Sequence, residues 1–270
     1  MTEAGRAGST LAGLEEWYAS PLGFEVGIRE SACLQGMLGD VFGYYLVQVG
    51  VANGFQEALT ASRIRHRVLM PSTRTKGWQG LGVVADPTRL PLASDTVDAV
   101  LLPHALDFVA DPRQVLREVE RVLIPEGRVF ILGFNALSSW GLVRLLRRGA
   151  RRVPWCGRFL TPYRVEDWLS VLGFDVERRE YILFQPPIRQ ALGMRLASLE
   201  RLGRRLWPAL GAVYVIRAVK RVSTLTPLKP LWPTPRALVP GAIEPTTRRG
   251  YPDRASGSGI WGGAGRLGDG

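Results

Sequence analysis

The stretch VVADPTRLPLASDTVDAVLLPHALDFVADPRQVLREVERVLIPEGRVFILGFN, residues 83–135, decides the fold. Two runs rich in Val, Leu and Ile, residues 99–102 and 128–132, are apolar at nearly every position, as strands buried on both faces are. Between them the apolar spacing becomes helical. Val115, Leu116, Val119, Val122 and Leu123 share one face, Asp111 stands where a cap belongs, and Pro112 suits the first helical position. Strand, helix and strand in that order make a crossover unit, so the sheet is expected to be parallel.

The same alternation continues on either side. Further strands are predicted at residues 44–49, 67–70, 82–85, 174–180 and 212–219, the last reading AVYVIRAV. Thr161 with Pro162 opens a helix that Gly173 ends, and residues 11–19, 31–42 and 188–206 read as helices too. Prolines and glycines multiply from Ser223 onward, leaving too little apolar surface for that segment to order itself. The expected organisation is an N-terminal helical segment over 1–43, an α/β domain over 44–222 and a Pro/Gly-rich tail over 223–270.

Composition narrows the function. At 46% hydrophobic in 270 residues the chain can bury one good α/β core. Residues 1–11 carry Glu3 and Arg6 with no apolar run behind them, unlike a secretory signal. No stretch approaches the roughly eighteen apolar residues of a membrane span. Cys33 and Cys156 are too few for a disulfide framework, lack metal-ligand spacing and read best as packing residues in a reducing cytoplasm. The formal charge is +11, concentrated in Arg144, Arg147, Arg148, Arg151, Arg152 and Arg158 and again in Arg195, Arg201, Arg204, Arg205, Arg217, Lys220 and Arg221. Such groups either bind phosphates of nucleic acid or an anionic surface, or form a solvated basic face.

In an open parallel sheet the ligand lies beyond the carboxyl ends of the strands. The first such turn is QVGVANG, residues 48–54, where Gly50 and Gly54 allow a sharp bend and close approach; a plain strand-to-helix turn would use them equally well. His104, just past the fourth predicted strand, is either a general base beside a reacting centre or a polar loop residue, and Asp107 either orients it or begins a turn. Asn135 follows the fifth predicted strand and can hydrogen-bond a substrate. The helix after it, with Trp140, Leu142, Val143 and Leu146, lines a pocket or covers the core, and its arginines also suit a membrane surface.

Residues 44–219 resemble the class I S-adenosylmethionine-dependent methyltransferase domain, in the branch called type 11. The resemblance is carried by Asp86 at a strand end, Leu90 with Pro91, Asp98, Arg117 with Glu118, Arg121 to Leu123, the Pro125 to Gly127 turn, and LTPYRVEDWLSVLGFDVERRE at 160–180. It implies a Rossmann-like, doubly wound, mostly parallel α/β sheet of about seven strands, the last antiparallel, with S-adenosylmethionine across the first turns. By that analogy Gln48, Gly50, Ala52, Gly54, Asp86 and Pro103 bind the cofactor, Gly50 and Gly54 flanking its methionine portion and Asp86 accepting from the adenine amine. His104 and Asn135 are the candidate catalytic residues.

The departures are equally specific. Gln48 replaces the usual acid, Ala52 a glycine and Glu126 another glycine. Met70, Pro71 and Ser72 stand where an acid would bind both ribose hydroxyls, a loss worth about 1.5–3 kcal/mol. Pro87 removes a backbone donor. Two functions follow: a methyltransferase acting on a small molecule or RNA, and a methyltransferase-fold scaffold without the chemistry that binds nucleic acid or protein. A nicotinamide dehydrogenase would need a third glycine in the first turn and an acid after the second strand.

Overall fold

A computed structural model describes residues 11, 13–51, 54–72, 82–147, 152–187 and 207–221. The predicted helix over 188–206, the tail over 223–270 and Ala52 lie outside them. After a short helix over residues 13–18, the elements in order are α1 (Pro21–Leu38), β1 (Phe42–Val49), α2 (Gln56–Ala61), β2 (Arg63–Met70), β3 (Val97–Pro103), α3 (Ala105–Phe108), α4 (Pro112–Val122), β4 (Leu123–Phe134), α5 (Ser139–Leu146), α6 (Pro162–Val171), β5 (Phe174–Ile182) and β6 (Val213–Lys220).

The strands form one sheet in the order β2-β1-β3-β4-β6-β5. β2, β1, β3 and β4 run parallel, while β6 is antiparallel to both β4 and β5. Alternate residues divide the core. Leu46, Leu101, Phe130 and Val215 face the leading helices, which contribute Leu14, Val26, Leu34 and Met37. Val47, Val100, Val129 and Ile216 face α4 and α6, which contribute Val115, Val119, Val165 and Leu169. The sheet is therefore doubly wound, covered by helices on both faces.

Two expectations need correction. The predicted strand at 82–85 is reduced to a single bridge, Leu69 to Gly82, with Val83 and Ala85 donating to the carbonyls of Leu69 and Pro71. Val83 and Val84 lie half in solvent, and the chain then turns at Asp86, so no two-sided burial holds a strand there. Among the described residues the sheet thus has six strands where about seven were expected. The helix expected over 31–42 starts instead at Pro21 and stops at Leu38: Ser20 Oγ accepts from the Gly23 amide at 3.2 Å and Pro21 occupies the first turn. The Asp111 cap of α4 is as predicted, accepting from the amides of Arg113 and Gln114.

Glu126 has φ +63 in the turn that interrupts the β3–β4 ladder, where pairing shifts from Val97 with Leu123 to Ala99 with Arg128. A glycine meets that left-handed backbone without strain, which explains what the departure at this position displaces.

Candidate functional site

The strand ends on the carboxyl side of β1, β2 and β3 build a cleft and, beside it, a buried charged cluster. β1 stops where Gly50 turns left-handed at φ +105 and donates its amide to the Met70 carbonyl at 3.1 Å, tying the ends of β1 and β2 together. A Cβ on Gly50 would stand 3.3 Å from the Ala105 Cβ and 3.6 Å from the Pro103 carbonyl, so the turn lies flat against the loop leaving β3. Gly54 has φ +101 and open space around it, so here backbone conformation alone calls for glycine. Gln48 is buried at the end of β1, and its Nε2 donates to the Val51 carbonyl, bracing the same turn.

The cleft, ≈ 620 Å³, opens beyond β2 and the bridge strand and is lined by Ser72, Ala85, Asp86, Pro87, Val109 and Gln114, among others. Asp86 lines it directly, its Oδ1 held by the Thr88 amide at 2.8 Å and the Thr88 hydroxyl at 2.7 Å. Gly50, Gly54 and Pro103 are not in its lining; Gly50 and Pro103 meet one another instead. Ser72 Oγ is buried in the wall with no hydrogen-bond partner among the described residues. That volume is the size of a nucleoside site, and an orphaned hydroxyl at the end of β2 is where a ribose hydroxyl would complete the pairing. These features fit an adenosyl group.

His104 caps α3 with φ +52 and is fully buried. Its Nε2 lies 2.9 Å from Glu30 Oε1 and its Nδ1 3.0 Å from Asp107 Oδ2. Tyr18 Oη donates to Glu30 Oε2 at 2.6 Å, and the Phe134 amide donates to Asp107 Oδ2 at 3.0 Å. Burial alone would lower the imidazole pKa, but the two carboxylates outweigh it and raise the pKa to about 9. Burial raises Asp107, and burial together with the Glu30 carboxylate raises Tyr18. The cluster therefore holds an imidazolium between two acids at neutral pH. Asp107 closes the turn that His104 begins, its amide donating to the His104 carbonyl, so it faces the imidazole rather than beginning a turn of its own.

Around His104 the space beyond β3 and β4 is filled by aromatic rings. Phe134 lies 4.1 Å from the imidazole and packs on Trp140 and Phe159, with Trp17 and Trp155 completing the enclosure. Asn135 is buried behind them. Its Nδ2 donates to the carbonyls of Ala209 and Gly211 and its Oδ1 accepts from Leu137, joining the end of β4 to the turn before β6.

Sequence reasoning missed Glu30 and Tyr18. A signal existed: Glu30 sits four residues from both Val26 and Leu34, a carboxylate on the buried stripe of α1. Such a group is found inside only when paired.

A family model described as a methyltransferase domain matches residues 47–131. The uncharacterized protein YafS of Escherichia coli is 33% identical over 193 residues, covering 70% of this chain and 74% of YafS. Among solved structures, the complex between the Haloferax volcanii Trm112 methyltransferase activator and the putative methyltransferase superposes with a TM-score of 0.53 at 17% identity, over 77% of this chain and 98% of that one. A putative S-adenosylmethionine-dependent methyltransferase from Listeria monocytogenes gives 0.52 at 12% identity, over 73% and 98%. At such identities the likeness is one of fold. Kinship along most of the chain and a shared architecture converge on one family, and the chain belongs to the class I S-adenosylmethionine-dependent methyltransferases, with S-adenosylmethionine as cofactor.

Proposed function

We propose that the protein methylates a small, largely apolar acceptor that approaches the cleft along the packed aromatic layer around His104. The observation that carries this reading is the enclosure itself, in which Phe134, Trp140 and Phe159 surround a buried ionic cluster. Such a wall suits a flat apolar molecule with one polar end, whereas RNA would need an open basic groove. The described members of the second basic group are neutralised by carboxylates: Arg217 by Asp40 and Glu177, Lys220 by Asp95, and Arg221 by Glu126 and Asp175.

When bound, S-adenosylmethionine supplies an activated methyl on a cationic sulfur, so the chain has mainly to hold and align. In this reading Asp86 accepts from the adenine amine and Ser72 pairs with a ribose hydroxyl. Gln48, Gly50, Gly54 and Pro103, outside the lining of the cleft, belong to the adjoining turns toward which the methionine portion would extend. Asn135 fixes the end of β4 beneath the acceptor, and His104, held between Glu30 and Asp107, takes up the proton that the acceptor releases only in its neutral form, as pH rises toward 9.

A second reading, a scaffold without the chemistry, is favoured by Pro71 and Ser72, which leave the end of β2 without a carboxylate. Labelled methyl from S-adenosylmethionine, incubated with the protein and host extract, separates them. Incorporation into the organic-solvent fraction is expected; label in RNA overturns the small-molecule acceptor, and no label in either favours the scaffold.

A further inference from the structure

Helix α5 is apolar on the side that faces away from the core. Its inner face is anchored: Ser138 caps it by accepting from the Gly141 amide, and the buried Trp140 donates its indole N–H to the Gln185 carbonyl at 2.9 Å. Leu142, Leu145 and Leu146, spaced three and four apart, form one outward stripe with 57%, 49% and 76% of their surface exposed, and Leu137 ahead of the helix is 51% exposed. A helix that is apolar on both sides is found buried or in lipid, and soluble surfaces seldom carry so many neighbouring leucines.

Cations border the stripe. Arg144 turns inward, its guanidinium over the Phe159 ring and its Nε donating to the Gly157 carbonyl, while the exposed Arg147 follows the last leucine with its guanidinium over Trp155. Stacking on a ring leaves the positive charge uncompensated, unlike the carboxylate-paired Arg217, Lys220 and Arg221. The sequence continues with Arg148, Arg151, Arg152 and Arg158 and no acid among them, in a chain of net charge +11. Leucines that can enter an acyl layer, flanked by arginines that can meet phosphates, match an anionic bilayer in both respects. RNA would use the arginines and leave the leucines in water.

We infer that α5 docks the protein on an anionic lipid surface, the leucine stripe entering the headgroup boundary and the arginines meeting lipid phosphates. Trp140, on the inner face of the same helix, packs on Phe134, which packs on His104. The docking face therefore lies one layer of rings from the enclosure. If the function proposed above holds, the acceptor is an amphiphile drawn from the bilayer; the docking itself does not depend on that reading.

The test is co-sedimentation of the full chain, without cofactor, with vesicles of equal parts phosphatidylglycerol and phosphatidylcholine and with phosphatidylcholine vesicles alone. Binding to the anionic vesicles is expected, at least tenfold tighter than to the neutral ones. The triple variant Leu142→Ser, Leu145→Ser, Leu146→Ser should lose about tenfold or more, and Arg147→Gln about fivefold. Absence of binding to anionic vesicles overturns the inference. So does a triple variant that binds as the intact chain does, which would reduce the effect to charge and make RNA an equal partner. A dimer in sedimentation velocity that the triple variant dissolves would assign the stripe to a second copy instead. Vesicle binding without labelled organic product would leave the docking standing and remove the amphiphilic acceptor.

Discussion

His104 Nε2 lies 2.9 Å from Glu30 Oε1, so a helix that precedes the first strand reaches into the loop that leaves the third. The other ring nitrogen faces Asp107. One imidazole thus holds the leading helix, the β3 loop and, through the Phe134 amide on Asp107, the end of β4 to a common point.

Removing one member should show what that joint contributes. Glu30→Gln leaves a buried imidazolium with a single acid and gives Tyr18 a weaker acceptor. Breaking a buried ion pair from one side costs about 3 kcal/mol or more, and Tyr18→Phe, which removes one hydrogen bond to a charged acceptor, about 1.5 kcal/mol. Urea denaturation at pH 7 measures both. A Glu30→Gln protein as stable as the parent would mean that the cluster does not hold the helix.

The same cluster sets a dependence on pH. With its pKa raised from 6.5 to about 9 in the folded state, His104 contributes stability that is full below 6.5 and is lost as pH rises through 9. Asp107 acts in the same direction: its pKa is raised by burial, so ionisation favours the unfolded chain once pH passes the ordinary value of 3.8. Urea midpoints should therefore fall steadily between pH 6.5 and 9, and His104→Gln should flatten that slope. If His104 takes up the acceptor's proton, the methylation rate should climb over the same interval, because only the neutral ring accepts.

The central crossover was legible because its signals agreed: a capped helix with Val115, Leu116, Val119 and Val122 on one face between two apolar runs, although Leu123, expected on that face, already begins β4. The third strand was not. Val83 and Val84 have strand composition, but whether a run of valines is covered on both sides depends on neighbours far away in the chain. The start of α1 was missed because Gly23 and Gly27 weaken its helical pattern, although Ser20 and Pro21 mark its beginning clearly. At the site, the turns holding Gly50 and Asp86 could be found from motif spacing. The partner of His104 lies 74 positions away, and no local pattern records such a distance.

The cofactor site invites a gain rather than a loss. Ser72 lines the cleft just past the end of β2, its buried hydroxyl without a hydrogen-bond partner among the described residues. Ser72→Asp would supply a carboxylate able to accept from both ribose hydroxyls, and hydrogen bonds to a charged group contribute about 1.5–3 kcal/mol. Calorimetric titration with S-adenosylhomocysteine should show affinity at least tenfold tighter than the parent. Unchanged or weaker binding would place the ribose elsewhere.

Gly50→Val should do the opposite. A side chain there meets Ala105 at 3.3 Å from its first carbon and must adopt φ +105, a conformation that costs L-residues about 1–2 kcal/mol. The variant should lose the thermal shift that S-adenosylhomocysteine gives the parent, with its own melting point lowered by several degrees. Retention of the full shift would separate this turn from the ligand.

Because the bridge at Leu69 is the only pairing beyond β2 among the described residues, β2 forms the rim of the sheet, and its alternating Arg63, Arg65 and Arg67 project into water. A like strand arriving from another molecule would set arginine against arginine along the amino-terminal half of β2, the carboxyl end being covered by the bridge at Leu69. The architecture thus closes itself to further growth by repulsion, and neutralising those three positions would turn a finished edge into a template for aggregation.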